Sequence, residues 1–453
     1  MRTPSPSLFF VGLSFLSSFF WVLSAQSQEE APKEPLSSAA EYSLKVTTDK
    51  AEPLYDKGEL VKYSISFTRN GAPVAGARVK WRLSKDGVEP PLEDGVADIS
   101  SGTAGLSGKL DEPGFLQCRA DVSIPGVSIR SARAAGAVDP LAILPSLPMP
   151  DDFVKFWDGQ KKKLSEIPIA LQLTPVKAST AGVDCFDAQA ASVGAPMSGY
   201  LAKPSGAIKN SLPAILLCHG AGVASSRQKV VEGWAKDGFL ALDFNAHGLP
   251  NGKAPEFYKN LYTGELKEYY LKSAESRDTV FFLGLFLRLL RGIDVLTSQP
   301  EWDGEILIVN GRSQGGGQAF AAAGLDSRVK FFAAQIPALC DLTGMAVGRI
   351  QGWPKALSMD GDKLNPKAME ASRYFDAVNF ARLTKADALV TVGFIDVSCS
   401  PTGVYAAYNQ LQGKKRIINN FTTGHAGSKE ADAQVREAIL NCVHGKNKNE
   451  KNN

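Results

Sequence analysis

Gly311-Arg312-Ser313-Gln314-Gly315 directly follows the apolar run Ile306–Val309 and precedes Gly316, Gly317 and a stretch of small residues. A serine between glycines, after a strand and before a helix, is the pattern of a nucleophile elbow, whose turn leaves no room for flanking Cβ atoms. A serine hydroxyl is a poor nucleophile without a base and an orienting acid. The chain has four histidines, and only His425 and His444 come after Ser313. His444 stands in a polar stretch beside Lys446 and Lys448 and reads as solvated. His425, in Thr423-Gly424-His425-Ala426-Gly427, follows the last predicted strand, Arg416–Phe421, and precedes a C-terminal helix. It is the candidate base. The preceding apolar run ends in Ile395-Asp396, so Asp396 is the candidate acid; Asp387 lies at the wrong end of that strand.

Acyl transfer also needs two N–H donors aimed at the developing oxyanion. One is the backbone of Gln314, the residue after the nucleophile. The other is expected from Cys218-His219-Gly220-Ala221-Gly222, which follows the run Ala214–Leu217, with the Ala221 N–H as candidate. His219 precedes the turn and reads as a loop-shaping residue. His247, in Asn245-Ala246-His247-Gly248, follows Phe239–Phe244 on the same sheet edge. Both a substrate contact and a loop-fixing role are open to it.

These residues need a sheet to carry them. The runs Ala214–Cys218, Phe239–Phe244, Ile306–Val309, Phe331–Gln335, Ala388–Val392 and Arg416–Phe421 alternate with helical stretches at Gln228–Lys236, Arg277–Thr297 and Gln318–Leu325. Continuous apolar strands separated by helices predict a mostly parallel, doubly wound sheet covered on both faces. The chain order Ser, Asp, His is that of an α/β-hydrolase, expected over 140–445. The apolar run Val280–Leu287 is closed by Arg288 and Arg291, which makes it a buried helix rather than a membrane span.

Residues 41–139 have a different period. Val61, Tyr63, Ile65 and Phe67 alternate with Lys62, Ser64 and Ser66, and Val79, Trp81 and Leu83 with Lys80 and Arg82. Turn signals at Asn70-Gly71, Asp86-Gly87 and Pro113-Gly114 separate such runs. An antiparallel immunoglobulin-like β-sandwich of six or seven strands is predicted, with Cys118 as its lone cysteine. Tyr63, Phe67 and Trp81 fall on alternating positions and read as core, which favours a packing or spacer role over carbohydrate binding. Pro140, Pro145, Pro148 and Pro150 mark a stiff linker.

Arg2, the apolar stretch Leu8–Val22 and the small residues Ser24 and Ala25 have the order of a secretory signal peptide, expected over 1–25. The stretch is short of the ~20 residues of a spanning helix, so a secreted or periplasmic protein without stable membrane insertion is expected; retention as an anchor is the alternative. A flexible leader over 26–40 and a polar tail over 446–453 complete the plan.

The whole chain has 453 residues, of which 44% are hydrophobic and 21% charged, an ordinary globular balance that excludes collagen, coiled coil and wholesale disorder. Fifty Lys and Arg against 47 Asp and Glu leave a net charge of +3, with no basic stripe for nucleic acid. Six scattered cysteines make no CxxC or Cys/His spacing, so no metal and no cofactor is expected.

Ser313-Gln314-Gly315-Gly316-Gly317, Pro337-Ala338-Leu339-Cys340-Asp341 and Gly393-Phe394-Ile395-Asp396 with Cys399 resemble the acetyl xylan esterase / cephalosporin-C deacetylase family. So do Met149-Pro150-Asp151-Asp152-Phe153 with Phe156-Trp157, and Cys218-His219-Gly220, over roughly 145–445. The resemblance implies a serine esterase that removes O-acetyl groups from an acetylated oligo- or polysaccharide, with Ser313, Asp396 and His425 as triad. It also implies a homo-oligomer, in that family a ring-shaped hexamer. The chain departs from the family at three places: Asn245-Ala246-His247-Gly248 replaces a common Arg-Gly-Gln-Gly, Ala426 replaces a Glu after the histidine, and Ala221 replaces a Tyr. Cleavage of another ester or a peptide bond, and a catalytically silent glycan-binding protein, are the rival readings.

Overall fold

The computed structural model describes residues 42–449 except 75, 100–101, 125–126 and 361–362. The expected signal peptide and leader lie outside the described residues.

The N-terminal part is built of strands. Tyr42–Thr48, Val61–Arg69, Ala72–Pro73 and Thr103–Gly108 form a four-stranded sheet. Leu54–Tyr55, Arg78–Lys85, Glu93–Asp98, Gly114–Ile124 and Val127–Val138 form a five-stranded one. The alternation in Val61–Arg69 has its expected effect, with Val61, Tyr63, Ile65 and Phe67 buried and Lys62 and Ser64 exposed. Each such side chain contributes about 1.5–3 kcal/mol by leaving water. Val79, Leu83, Leu116 and Cys118 of the second sheet complete the same core. Tyr63 and Phe67 are core, whereas Trp81 is only partly buried. Among the described residues the strand segments number nine rather than six or seven, because two are dipeptides, and one of these, Leu54–Tyr55, pairs in parallel with Ala137–Val138.

The second part carries one large sheet. Its strands are β1 (Gln172–Val176), β2 (Val183–Ala190), β3 (Met197–Pro204), β4 (Leu212–Cys218), β5 (Leu240–Phe244), β6 (Trp302–Arg312), β7 (Val329–Gln335), β8 (Asp387–Gly393) and β9 (Lys415–Asn420). Their order across the sheet is β1-β2-β3-β5-β4-β6-β7-β8-β9. β5, β4, β6, β7, β8 and β9 run parallel, as their continuous apolar sequences predict. β1, β2 and β3 are antiparallel additions, so the sheet is mixed. The helices are α1 (Phe153–Ser165), α2 (Gln228–Lys236), α3 (Pro255–Thr263), α4 (Phe281–Thr297), α5 (Gln314–Leu325), α6 (Pro366–Ser372), α7 (Ala377–Leu383), α8 (Pro401–Asn409) and α9 (Lys429–Asn449). α4 starts four residues later than expected because Val280 is extended at its N-cap. Residues 446–449, expected as polar tail, continue α9. No helix among the described residues is long and apolar enough to cross a membrane.

The proline-rich segment 140–150 is tied down along its length. Asn409 donates to the carbonyls of Pro140 and Ile143, Arg349 to that of Leu144, and Arg373 to that of Pro148. Phe115, Ala135 and Ala137 of the N-terminal sheet belong to the main hydrophobic core. The Phe115 ring meets Phe394 edge-on at 4.9 Å, and Phe394 meets Phe421 in the same way at 4.9 Å. The N-terminal unit therefore buttresses the two loops that carry Asp396 and His425.

Candidate active site

The elbow is strained where it has to be. Ser313, at the N-cap of α5, has φ 56° and ψ −120°, a conformation disfavoured by about 1–3 kcal/mol for a residue with a side chain. A Cβ at Gly311 would stand 2.0 Å from the Gly315 carbonyl oxygen, and one at Gly315 would stand 2.1 Å from that of Cys218. Only glycine permits that approach, and it presses α5 onto the ends of β4 and β6.

Ser313 Oγ lies 2.8 Å from His425 Nε2, and His425 Nδ1 lies 2.8 Å from Asp396 Oδ2. The His425 ring bonded in this way donates from Nδ1 and accepts at Nε2. Asp396 is buried, and its other oxygen accepts the N–H groups of Ser398 and Cys399 at 2.8 and 2.9 Å. The His425 side chain is 34% exposed, open on one side to a reacting group. Arg312 donates to the Ala426 carbonyl at 2.8 Å and pairs with Asp432 at 3.0 Å, which ties the histidine loop to the elbow and to α9.

The two candidate oxyanion donors sit on facing segments. Gln314 is the first residue of α5, where amide N–H groups have no carbonyl within the helix. A Cβ at Gly220 would lie 3.7 Å from Ser313 Cβ, and the exposed Ala221 follows. Among the described residues the Ala221 N–H has no protein acceptor. Two histidines shape this loop from beneath. His219 Nδ1 donates to the Gly220 carbonyl at 2.7 Å, and Nε2 accepts from Ala246 N–H at 3.2 Å; burial holds its pKa below the ordinary value. His247 is buried and donates from Nε2 to the Gly222 carbonyl at 3.0 Å, and burial pushes its pKa down to about 4. That bond ties His247 to the loop carrying Ala221.

Two further residues, Tyr269 and Cys399, lie near the candidate site. Tyr269, on the segment between β5 and α4, accepts the Gly222 N–H at 3.0 Å and donates to Gln314 Oε1 at 2.8 Å. It bridges the loop of Gly222 and the start of α5, the segments of the two candidate oxyanion donors, and its ring packs edge-on against His247 at 4.4 Å. No motif or periodicity marks it. Cys399 is buried beside Asp396 and His425, its Sγ within 4.8 Å of a ligand atom of each. Its presence in the family motif is the one hint of that position. Burial raises its thiol pKa well above the ordinary value, so it is a neutral neighbour and not a second nucleophile. Asp396, Cys399 and His425 have ligand atoms within 4.8 Å of one another, a spacing that a metal could use, although the acid and the base already bond each other. None of the six cysteines is in a disulfide.

A mixed sheet whose six parallel strands carry a strained serine at their carboxyl edge defines an α/β-hydrolase-type enzyme. The chain belongs to the acetyl xylan esterase family, whose model matches residues 143–437, and it is a carboxylic-ester hydrolase. The acetyl esterase Axe7A of Xylanibacter ruminicola is 30% identical over 387 residues, covering 84% of this chain and 86% of that protein. That match is longer than the stretch from residue 143 to the C-terminus, so it reaches into the N-terminal β unit. An acetyl xylan esterase from Paenibacillus sp. R4 superposes with a TM-score of 0.58 at 25% identity, over 67% of this chain and 98% of that one. Acetyl xylan esterase 1 from Thermoanaerobacterium sp. JW/SL YS485 shares the fold, with a TM-score of 0.56 at 22% identity, over 66% and 96%.

Proposed function

We propose that this protein is an exported serine esterase that removes O-acetyl groups from carbohydrate through Ser313, His425 and Asp396. The observation that carries the reading is the hydrogen-bonded chain from Ser313 Oγ through the His425 ring to Asp396. His425 Nε2 takes the hydroxyl proton as Ser313 Oγ attacks the acetyl carbonyl carbon. The oxyanion is held by the N–H groups of Ala221 and Gln314. Collapse of the tetrahedral intermediate breaks the ester bond, and His425 returns the proton to the departing sugar oxygen. Water then adds to the acetyl-serine with His425 again as base, releasing acetate and restoring Ser313. Asp396 Oδ2 accepts the Nδ1–H, so that Nε2 faces the serine.

Residues 1–25 are read as the export signal and 140–445 as the catalytic domain. Residues 41–139 are read as an immunoglobulin-like sandwich, supported by two sheets over one core. The test is acetate release from acetylated xylan and acetylated xylo-oligosaccharides by wild type beside Ser313→Ala. Release that falls by at least about 10⁴-fold in the variant supports the reading. Full turnover by Ser313→Ala ends the triad assignment, and cleavage of p-nitrophenyl acetate without release from either sugar ends the xylan assignment.

A further inference from the structure

Beyond the triad, the loop that carries Ala221 forms one wall of a cavity of about 620 Å³. Residues 222–225 make that wall. The opposite wall is the face of α3 formed by Pro255, Tyr258, Lys259 and Tyr262, with Lys253 just before it. Positions 255, 258, 259 and 262 are spaced i, i+3, i+4 and i+7, which places them on one side of a helix. The floor is well braced. The buried Tyr258 donates to the Pro250 carbonyl at 2.7 Å and accepts the Lys253 N–H at 3.2 Å, while Ser225 Oγ accepts the Gly252 N–H at 3.0 Å.

Gly222 links this cavity to the reaction centre. Its N–H and C=O are both bonded inward, to Tyr269 and His247, and a Cβ there would meet open space. Gly222 lies two residues beyond Gly220, at most about 7.6 Å along the chain at ~3.8 Å per Cα step. The loop that lines the cavity is therefore the one whose Gly220 faces Ser313. Tyr262 is 49% exposed and offers a ring face. Lys253 and Lys259 are exposed, and among the described residues neither ammonium is in an ion pair. No Asp or Glu lines the cavity. An apolar floor with a few placed polar groups is the usual make-up of a specific small-ligand site, and here the placed groups are two cations.

We propose that this cavity is a subsite for a uronic acid residue on the acetylated glycan. The sugar ring would lie on Tyr262 and its carboxylate between Lys253 and Lys259. The assignment rests on the sugar-esterase reading above. It explains why cationic side chains stand beside a site whose own chemistry needs none.

The experiment uses the full mature chain carrying Ser313→Ala, so that ligand is bound without turnover. Calorimetry compares a uronic acid-branched xylo-oligosaccharide with an unbranched one of equal length, both unacetylated. The branched sugar is expected to bind about tenfold more tightly at low salt and to lose that advantage near 1 M salt. Adding Lys253→Gln and Lys259→Gln abolishes the preference, Lys253→Arg with Lys259→Arg retains it, and melting curves check that each variant folds. Equal affinity for the two sugars, or a preference that survives in the glutamine variant, overturns the proposal. Failure of the wild type to release acetate from the unbranched acetylated sugar would instead overturn the sugar-esterase reading, while the binding comparison still decides the subsite.

Discussion

Removing the hydroxyl of Tyr269 should damage catalysis more than substrate binding. The hydroxyl accepts the Gly222 N–H at 3.0 Å and donates to Gln314 Oε1 at 2.8 Å, so Tyr269→Phe orphans one group on each side of the oxyanion site. Gln314 is fully buried and its Nε2 already lacks a partner, so its side chain would lose its one hydrogen bond. Each orphaned group costs about 1–3 kcal/mol, so the two together give a stability loss of about 2–6 kcal/mol. The catalytic effect is bounded from both sides. Deleting an oxyanion donor outright lowers kcat by about 10²–10³. Here the Ala221 N–H is loosened rather than deleted, because His247 still holds the Gly222 carbonyl. A fall in kcat of about 10–100-fold, with KM nearly unchanged, is expected, because the lost interaction acts on the transition state. Steady-state kinetics on p-nitrophenyl acetate, run well below the melting temperature of the variant, give both constants. A kcat within about twofold of wild type in folded protein, or a change confined to KM, would refute the bridging role.

Asp396→Asn keeps the shape of the acid but cannot favour the Nδ1–H tautomer of His425. A drop in kcat of about 10⁴ is expected, with the fold retained by circular dichroism. A second effect belongs to stability. Asp86, in the N-terminal unit, is buried against Thr402 of α8, and one of its carboxylate oxygens has no partner. Burial raises its pKa from 3.8 to about 6. The folded state therefore keeps this proton up to about pH 6, whereas the unfolded chain loses it near 3.8, so stability falls as pH rises between those values. Above pH 6 the penalty is about 3 kcal/mol, and Asp86→Asn should gain up to that amount at pH 7–8 and nothing near pH 3. Urea midpoints across pH 3–8 give the comparison, and superimposable profiles for the two proteins would sink the assignment.

Much of the catalytic plan is local and was therefore legible in the sequence. The elbow at 311–315 is a turn whose glycines are dictated within a few residues, and the apolar runs are read from their own composition. Ser313, His425 and Asp396 each stand at the end of a predicted strand, where a parallel sheet collects its loops. The antiparallel strands β1 to β3 were harder to read: β1 is a short edge strand with no buried residue, β2 mixes buried and half-buried residues, and β3, though mostly buried, is interrupted by Ser198 and Gly199 and has no continuous apolar run.

What only the tertiary structure decided involves partners far apart in the chain. Tyr269 and Gln314 are 45 residues apart, and Asp86 and Thr402 are 316 apart. Nothing in either local sequence encodes the other, since a tyrosine at a loop reads the same whether or not a buried amide awaits it. The packing of Tyr269 and Phe281 around the His247 ring is likewise invisible in the sequence. The same holds for the N-terminal unit. Its alternating pattern predicted strands, but only packing shows Phe115 seated on Phe394, because hydrophobic burial is non-directional and does not name its partner in advance.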